Sequence, residues 1–376
     1  MNFVEVALST PLRSTFTYRN DAGISLVGKR VMVEFGRRKL LGVVVSESEH
    51  LQTNKKIKDI QEILDHEPVL PKDLIKKAYR ISAYYFHPIG EVIFSLLPTL
   101  LRKRKKLLDL EKYKPQSNLN ISSKPRLPKL TNNQLNCYKE IVNSKKNEFL
   151  LFGVTSSGKT EIYKYLIRDY LAKGRSVLIL VPEIFLTPQI FESLKKAFPQ
   201  SIELFHSGLT ELQRFKVWLE ALNDNPKVYV GTRSSVFLPI KNLGLVIFDE
   251  EHDQSYKQNE GLRYDSKTIM NLLYDETVKT VLSSATPSLL NLKKAQENEI
   301  DSFFLKQRYG DFNQPEFKIV PIRKNTLVSG VSEELIVEID RTLNEGKQAL
   351  VLLNRRGYAP IFFCEDCGWI AKSSCC

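Results

Sequence analysis

The sequence lacks a long apolar segment and has few cysteines. Among its 376 residues, no apolar run approaches the roughly 20 residues that a membrane-spanning helix needs. Residues 1–6 lack the basic and apolar regions of a signal peptide. These absences predict a cytoplasmic protein that does not enter a membrane. Four of the five cysteines crowd the last thirteen residues, namely Cys364, Cys367, Cys375 and Cys376. In a cytoplasmic chain such a cluster indicates metal binding rather than disulfides. The isolated Cys137 is predicted to be a buried or surface thiol and not a catalytic residue.

Acidic residues are outnumbered by basic ones, but the imbalance is local. The chain has 55 Lys and Arg against 43 Asp and Glu, a net charge of +12. Residues 102–129 alone hold ten basic and two acidic residues, a net of +8. For the densest part, Arg102 to Lys106, two interpretations stay open. It is either a solvated linker or a strap that binds nucleic-acid phosphates without regard to sequence.

Residues 153–160 follow the pattern GxxxxGK[ST] of a nucleotide-binding P-loop. The apolar run 149–152 before it predicts a buried strand, and residues 161–167 repeat apolar residues at helical spacing. In this context Lys159 would reach the β- and γ-phosphates of ATP and Thr160 would hold Mg²⁺. A plain glycine turn between strand and helix is the alternative. The predicted nucleotide-contacting residues are Gly153, Val154, Thr155, Ser156, Ser157, Gly158, Lys159 and Thr160.

A second apolar run, residues 243–248, ends in the acidic sequence Asp249-Glu250-Glu251-His252. At the end of a buried strand, Asp249 would hold Mg²⁺ and Glu250 would orient or deprotonate the water that attacks the γ-phosphate. A solvated acidic loop is the alternative. The predicted catalytic residues are therefore Lys159, Thr160, Asp249 and Glu250, with Thr160 and Asp249 as ligands of the magnesium ion.

Predicted strands alternate with predicted helices from residue 149 to about 310. The strands are 149–152, 177–181, 228–231, 245–248 and 280–283. Such alternation predicts a parallel sheet covered by helices on both faces. A helix preceded by Thr131 as its N-cap comes before the first strand. A second, shorter unit is predicted to begin near residue 330, with a helix that starts at 332–335 and a strand at 348–353.

The first hundred residues have the pattern of a small β-rich module. Residues 4–8 alternate as a half-buried strand does, and residues 30–35 and 40–45 flank a basic turn at 36–39, which predicts a hairpin. From Pro71 the pattern becomes helical. The residues predicted to share one side of that helix are Leu74, Ile75, Ala78, Tyr79, Ser82 and Tyr85. Residues 101–128 are rich in lysine and proline and predict a linker.

Five short stretches follow the order found in superfamily 2 helicases: the two nucleotide motifs, residues 180–183, residues 231–235 and the sequence Ser284-Ala285-Thr286. More narrowly, the chain resembles the PriA family of bacterial primosomal helicases, also called primosomal protein N′. The stretches that carry this resemblance are Phe35-Gly36-Arg37-Arg38, Leu97-Pro98, residues 153–163, 182–189, 206–209, 231–235, 249–253 and 255–258, Arg263-Tyr264, and residues 284–288 and 354–360.

This resemblance implies an ATP-dependent 3′→5′ DNA helicase that recognises stalled or abandoned replication forks and initiates primosome assembly. The implied partners are forked DNA, the 3′ end of the nascent strand, single-stranded DNA, other primosome proteins and the replicative helicase. The implied cofactors are ATP, Mg²⁺ and Zn²⁺. DNA contacts are implied for Arg37, Arg38, Thr232, Arg233, Tyr256, Lys257, Arg263 and Tyr264, and a nucleotide contact for Gln134.

Residues 256–264 resemble the aromatic-rich loop of the family. In such a loop, aromatic faces would stack on unpaired bases while Lys and Arg hold phosphates, so that strand binding is coupled to hydrolysis. An ordinary surface loop that contains two tyrosines is the alternative interpretation of the same residues.

The chain departs from the family pattern in three places. Only about thirty residues separate the first module from the helicase motifs, so the family's winged-helix domain is predicted to be absent. No stretch matches motifs V and VI, so no arginine finger has a candidate. The family's zinc module uses CxxC pairs, and Ser373 stands where a cysteine is expected. Because a structural Zn²⁺ needs four ligands, the predicted set of Cys364, Cys367 and Cys376 is incomplete.

We therefore expect an α/β protein with a RecA-like helicase motor lobe, preceded by a small β-rich DNA-binding module and followed by a partial second lobe. The expected division is 1–100 for the module that binds 3′ DNA ends, 101–128 for the basic linker, 129–310 for the ATP-binding lobe and 311–376 for the start of lobe 2 with part of a zinc segment. Taken alone, these residues would bind nucleotide and DNA without unwinding. A nonenzymatic DNA-end-binding remnant of a truncated gene and a general superfamily 2 translocase stay open as alternatives.

Overall fold

The structure is a computed structural model that describes ten segments of the chain. They are residues 2–48, 57–104, 125, 127–182, 188–274, 277–308, 316–321, 327–328, 331–352 and 366–370. The chain forms two compact units, Met1–Phe312 and Asn313–Cys376. Among the helices in these segments, none is both long enough and apolar enough to span a bilayer.

An antiparallel five-stranded sheet opens the first unit. Its strands are β1 (Asn2–Leu8), β2 (Phe16–Asn20), β3 (Arg30–Phe35), β4 (Arg38–Ser48) and β5 (Ile60–Ile63), in the order β2-β1-β4-β3-β5. The predicted hairpin is confirmed, since β3 and β4 pair up to Phe35 and Arg38. Gly36 has φ of +61°, the left-handed conformation that a two-residue hairpin turn requires. The turn therefore carries Arg37 and Arg38 at its tip.

Two helices follow this sheet, α1 (Lys72–Tyr85) and α2 (Ile89–Ser95). The helix predicted after Pro71 is confirmed, but its buried stripe differs from the prediction. The buried residues are Leu74, Ile75, Ala78 and Ile81. Tyr79 is 43% exposed, because the spacing i, i+4, i+7 continues the stripe from Leu74 through Ala78 to Ile81.

A seven-stranded parallel sheet forms the centre of the first unit. Its strands are β6 (Glu148–Gly153), β7 (Ser176–Leu180), β8 (Ile202–Phe205), β9 (Val228–Gly231), β10 (Leu243–Asp249), β11 (Lys279–Ser284) and β12 (Asp301–Leu305), in the order β12-β6-β11-β10-β7-β9-β8. The five predicted strands are confirmed. The sequence did not predict β8 and β12, since both lie at sheet edges and keep side chains partly exposed.

Helices cover both faces of this sheet, as the alternation predicted. They are α3 (Asn132–Asn143), α4 (Lys159–Ala172), α5 (Pro188–Ala197), α6 (Glu211–Ala221), α7 (Ser266–Leu273) and α8 (Leu289–Gln296). Successive residues of β6 enter different cores: Phe149 and Leu151 pack with α3 and α4, and Leu150 packs with the core that contains α6 and α7. Cys137 lies buried in the first of these cores. Thr131 caps α3 in a capping box with Gln134, which confirms that helix start.

The N-terminal helices belong to the same hydrophobic core as α6 and α7. The Trp218 Nε1 of α6 donates a hydrogen bond to the Leu96 carbonyl at 3.0 Å, and the backbone N–H of Asp265 donates to the Tyr85 hydroxyl at 3.1 Å. Because these contacts join residues far apart in the chain, the antiparallel sheet with its helices packs directly against the lobe of parallel strands.

A buried ion pair fixes the segment that leaves the N-terminal module. Arg30 Nη2 lies 2.6 Å from Asp65 Oδ1, with both side chains fully buried. Arg30 Nη1 also donates to the Leu101 carbonyl at 2.9 Å. A buried charge needs a partner and satisfied hydrogen bonds, and this arrangement supplies both. It therefore anchors residue 101, where the basic segment begins.

The second unit, as far as it is described, contains a short antiparallel pair, β13 (Leu327–Val328) and β14 (Val331–Ser332), and one helix, α9 (Glu333–Asn344). The predicted helix start is confirmed, since the Ser332 side chain accepts from the backbone N–H of Leu335 at 3.2 Å. The predicted strand at 348–353 is wrong for its described part, 348–352, which forms no strand. The described residues of this unit offer it no partner strand, and Leu350 is 98% exposed.

Candidate nucleotide site and nucleic-acid interface

Three motif-bearing strands are neighbours in the parallel sheet. Strand β11 pairs with β6 on one side and with β10 on the other, with Asp249 opposite Ser283 and Phe152 opposite Ser284. In a parallel sheet all carboxyl ends lie at one edge. The P-loop, the acidic sequence that begins at Asp249 and the Ser-Ala-Thr sequence at 284–286 therefore meet at the same edge.

The P-loop backbone needs glycine at both ends. Gly158 has φ of +78°, and a Cβ built there would lie 2.3 Å from Gln134 Nε2. A Cβ at Gly153 would lie 2.6 Å from Ser157 Oγ. Gln134 is buried and donates its amide to the Ser157 carbonyl at 3.0 Å. Gln134 therefore stabilises the P-loop through this hydrogen bond. Its contact with the nucleotide stays a prediction.

Two polar groups of the loop are arranged for an anionic ligand. Lys159 Nζ donates to the Gly153 carbonyl at 3.1 Å and lies 3.6 Å from Glu250 Oε1. Ser157 Oγ is buried, and among the described residues it has no hydrogen-bond partner. A buried hydroxyl without a partner costs stability unless a ligand or water satisfies it. Together with the N-terminus of α4, which begins at Lys159, these groups fit a polyphosphate.

Tyr163 of α4 forms a hydrogen bond with Asp249 that the sequence did not predict. The buried Tyr163 hydroxyl donates to Asp249 Oδ1 at 2.7 Å and lies 2.5 Å from Ser283 Oγ. Because a phenol has one proton, the hydrogen bonds run from Ser283 through Tyr163 to Asp249. Burial raises the pKa of Asp249, and the Tyr163 hydrogen bond opposes this increase. An unprotonated carboxylate at this position suits a hard divalent cation.

Glu250 lies at the turn that follows Asp249 and has an unusual backbone. Its φ is +46°, a left-handed conformation that non-glycine residues adopt at a cost of about 1–3 kcal/mol. Its carboxylate faces Lys159 on one side and lies 3.7 Å from His252 Nδ1 on the other. This turn brings the carboxylate to the mouth of the P-loop, where the predicted water-orienting role requires it.

The next acidic residue, Glu251, joins the acidic sequence to the segment after β11. Its buried carboxylate accepts from the Ser288 backbone N–H and from Asn291 Nδ2, each at 2.6 Å, and from Lys267. Burial, the largest single influence, raises the pKa of Glu251, but the hydrogen bonds from Lys267 and Ser288 and the positive charge of Lys267 together hold it below its ordinary value. His252 Nδ1 also lies 2.7 Å from Ser284 Oγ. No role was predicted for Glu251, and its spacing in the sequence gives no signal for one.

Tyr256 and Tyr264, which were predicted to stack on bases, are buried in this structure. Tyr256 is 2% and Tyr264 is 6% exposed, so neither ring is accessible. The Tyr256 hydroxyl lies 2.8 Å from the Leu180 carbonyl oxygen and 2.5 Å from that of Asp249, and its single proton is shared between these two acceptors. Tyr264 packs edge-on against Phe237, with ring centroids 4.8 Å apart. The two tyrosines are core residues that fix the loop to the sheet.

Thr232 and Arg233 also have structural contacts that the sequence did not predict. Thr232 is 1% exposed, so its predicted DNA contact would require a rearrangement that exposes its side chain. It is buried because it follows β9 directly and precedes a short helical turn, Arg233–Phe237. Arg233 Nη1 donates to the backbone carbonyls of Ser255 at 3.3 Å and Lys257 at 3.2 Å. Arg233 thereby links its own loop to the loop after Asp249.

Four of the predicted DNA contacts are exposed basic side chains. They are Arg37 and Arg38 at the β3–β4 hairpin tip, and Lys257 and Arg263 on the loop after Asp249. In the basic segment, Lys103 pairs with Glu211 at 2.7 Å and Arg104 pairs with Glu62 at 3.1 Å. Lys105, Lys106 and most of the predicted linker lie outside the described residues.

The predicted zinc ligands are only partly within the described chain. Cys367 is exposed, and Cys364 and Cys376 lie outside the described residues. Within the described segments, no group of three or more His, Cys, Asp or Glu side chains is arranged to hold a metal ion. The zinc site therefore stays a prediction.

Comparison with known proteins defines the class first. Residues 5–98 match the 3′DNA-binding domain (3′BD) of PriA, and residues 131–295 match the DEAD/DEAH box helicase family. The chain thus joins a DNA-end-binding domain to the ATP-binding lobe of a helicase. A solved structure, RecG bound to a three-way DNA junction, is 23% identical with a TM-score of 0.38, and the match covers 65% of this chain and 36% of that one.

Curated relatives that match the chain include replication restart proteins named PriA. The replication restart protein PriA of Haemophilus influenzae is 30% identical over 449 aligned positions, which cover 100% of this chain and 62% of that protein. PriA of Rickettsia felis is 35% identical over 346 positions, which cover 91% of this chain and 52% of that protein. Over its full length the chain is similar to PriA proteins. It spans between half and two thirds of the length of these two relatives.

Proposed function

We propose that this chain forms the DNA-end-binding module and the ATP-binding lobe of a 3′→5′ DNA helicase. Such a helicase would recognise stalled or abandoned replication forks and initiate primosome assembly for replication restart. The observation that carries the proposal is the arrangement of Lys159, Glu250 and Asp249 at one sheet edge, with Lys159 Nζ 3.6 Å from Glu250 Oε1. The match of residues 5–98 to a 3′DNA-binding domain supports DNA as the substrate.

In this proposal each residue of the site has one task. Lys159 would leave the Gly153 carbonyl to bind the β- and γ-phosphates, and Thr160 would offer its hydroxyl to Mg²⁺. Asp249, oriented by Tyr163, would hold the same ion, which would neutralise phosphate charge when bound. Glu250, freed from Lys159, orients the attacking water.

The remaining assignments rest on the family and the charge pattern. Residues 1–100 would bind the 3′ end of the nascent strand, with Arg37 and Arg38 as exposed contacts, and Lys257 and Arg263 would contact the strand at the lobe. Residues 101–128 would be the basic linker, 129–310 the ATP-binding lobe and 311–376 the start of the second lobe with its zinc segment. Primosome proteins and the replicative helicase are the proposed partners, in the cytoplasm.

Two substitutions test the nucleotide site. Lys159→Ala should abolish the thermal stabilisation by Mg²⁺ and a nonhydrolysable ATP analogue, because it removes the cation that binds the phosphates. Glu250→Gln should keep that stabilisation, because it leaves the phosphate-binding groups in place. Lys173→Ala, an exposed lysine at the other end of α4, is the matched control. Undiminished nucleotide binding by the Lys159 variant would contradict the assignment.

A further inference from the structure

A cavity of about 280 Å³ lies where the N-terminal module meets the lobe of parallel strands. We name it the junction cavity. Its wall includes Leu96, Arg102, Arg214, Trp218, Ser234 and Gln258. These residues come from the end of the N-terminal module, from α6, from the helical turn after β9 and from the loop after Asp249. Two of these segments, the helical turn after β9 and the loop after Asp249, also carry predicted DNA contacts.

Two arginines give the junction cavity its charge. Arg102 donates through Nε to the Leu97 carbonyl at 2.8 Å and through Nη2 to the Ser95 carbonyl at 3.4 Å. Loss of hydration lowers the pKa of Arg102, and the positive charge of Arg214 lowers it further. Two like charges that face one cavity repel each other unless an anion lies between them.

Arg214 has a donor without a partner. It lies in the first turns of α6, and its Nε is buried with no hydrogen-bond partner among the described residues. The carboxylate of Glu260 also lines the cavity, but within the described part of the chain it forms no ion pair with either arginine. A buried donor of this kind is rare in folded proteins, and an acceptor that enters the cavity would satisfy it.

We propose that the junction cavity binds one phosphate of a single-stranded DNA backbone, with Arg214 and Arg102 as its ligands. The planar guanidinium group offers several donors in a geometry that matches phosphate oxygens. Ser234, in the cavity wall, adds a hydroxyl donor. A phosphate here would satisfy the Arg214 Nε and separate the two positive charges. The inference rests on the proposed function, since it takes DNA as the ligand.

The first test is the salt dependence of binding to a fluorescent single-stranded oligonucleotide. Arg214→Gln should lower the log–log slope by about 0.7, because one phosphate contact is lost. Between 50 and 200 mM salt, the affinity of the variant should then fall by a factor about 2.6 smaller than that of the wild-type protein. Lys216→Gln removes one charge from an exposed position of the same helix and should leave the slope unchanged. Thermal unfolding of both variants checks that they fold.

The second test changes the DNA instead of the protein. One neutral methylphosphonate linkage is moved along the oligonucleotide, one position at a time. At one position it should weaken binding to the wild-type protein, and Arg214→Gln and Arg102→Gln should each abolish that effect. This test does not depend on Arg214→Gln alone, so the inference can be refuted even if that variant fails to fold.

The outcomes separate this inference from the proposed function. The cavity assignment fails, and the proposed function stands, if the wild-type protein binds DNA and two results are negative. The first is a salt slope that Arg214→Gln leaves unchanged. The second is a methylphosphonate effect that neither arginine substitution abolishes at any linkage position. If the wild-type protein does not bind DNA, both fail. In a third arm, inorganic phosphate is compared with chloride at equal ionic strength. Arg214-dependent stabilisation by phosphate, without any change in the DNA slope, would make the cavity a site for the free anion and overturn the DNA assignment.

Discussion

The contact between Tyr163 and Asp249 can be tested by removing a single oxygen atom. Tyr163→Phe keeps the ring in its buried position and deletes the hydroxyl that donates to Asp249 Oδ1 at 2.7 Å and lies 2.5 Å from Ser283 Oγ. Asp249 is 7% exposed, so water replaces the lost donor poorly. The substitution therefore leaves a buried carboxylate with one fewer hydrogen bond.

The size of the effect follows from the charge of the acceptor. A hydrogen bond to a charged group contributes about 1.5–3 kcal/mol. Each kcal/mol corresponds to about 2–4 °C in Tm for a unit of 150–250 residues and to less for this larger unit, so a decrease of at most about 3–12 °C is expected. Burial already raises the pKa of Asp249, and losing the Tyr163 hydrogen bond raises it further. The folded variant then binds its proton up to a higher pH than the wild-type protein does.

This shift fixes the sign of the pH dependence. A carboxyl with a raised folded-state pKa destabilises the protein above that pKa and has no such effect once it is protonated. The stability difference between Tyr163→Phe and the wild-type protein should therefore be largest near neutral pH and shrink in acid. Urea unfolding between pH 4 and 8, without Mg²⁺ or nucleotide, measures it. Tyr170→Phe, on the same helix, is the control, since no hydrogen bond from its hydroxyl is found within the described chain. A difference that does not change with pH would refute the role of the carboxylate.

Two further predictions concern DNA and turnover. The double substitution Lys105→Gln and Lys106→Gln should lower the salt slope of DNA binding by roughly 0.7–0.9 per lost phosphate contact. It leaves the ion pairs of Lys103 and Arg104 in place. An unchanged slope would show that these two lysines are only solvated. A polypeptide of these 376 residues should bind nucleotide and DNA but unwind no fork, because an arginine finger contributes on the order of 10³–10⁵ in rate and no candidate is present. A fork-unwinding assay beside a longer polypeptide checks this, and robust unwinding by the 376 residues would contradict it.

The sequence predicted the parallel sheet well because its central strands are continuous apolar runs. All seven residues of β10 are buried, and the apolar run that ends at Asp249 is typical of a strand covered on both faces. The edge strands β8 and β12 escaped prediction because their side chains are only partly buried. Edge strands lack neighbours on one side, and their sequence pattern is correspondingly weak.

The motif residues were easier to identify than their contacts. The P-loop pattern fixes a backbone shape, so Lys159 and Thr160 could be named from spacing alone. Tyrosines gave no such guidance. In sequence, Tyr256 among charged neighbours suggests a ring that stacks on bases, whereas in the fold its hydroxyl joins β7 to β10 through the carbonyls of Leu180 and Asp249. Whether an aromatic ring faces solvent depends on tertiary packing, which single-residue patterns do not contain.

The core that the N-terminal helices share with α6 and α7 has a consequence for synthesis of the chain. The Trp218 side chain meets the Leu96 carbonyl across 122 residues of sequence. At about 5–20 residues per second, a ribosome needs roughly 6–24 s to make that interval. During this time α1 and α2 have left the ribosome, and only the part of their apolar side that packs on β1 and β4 is covered. Nascent chains of this protein should therefore present a binding site for chaperones that disappears when α6 emerges.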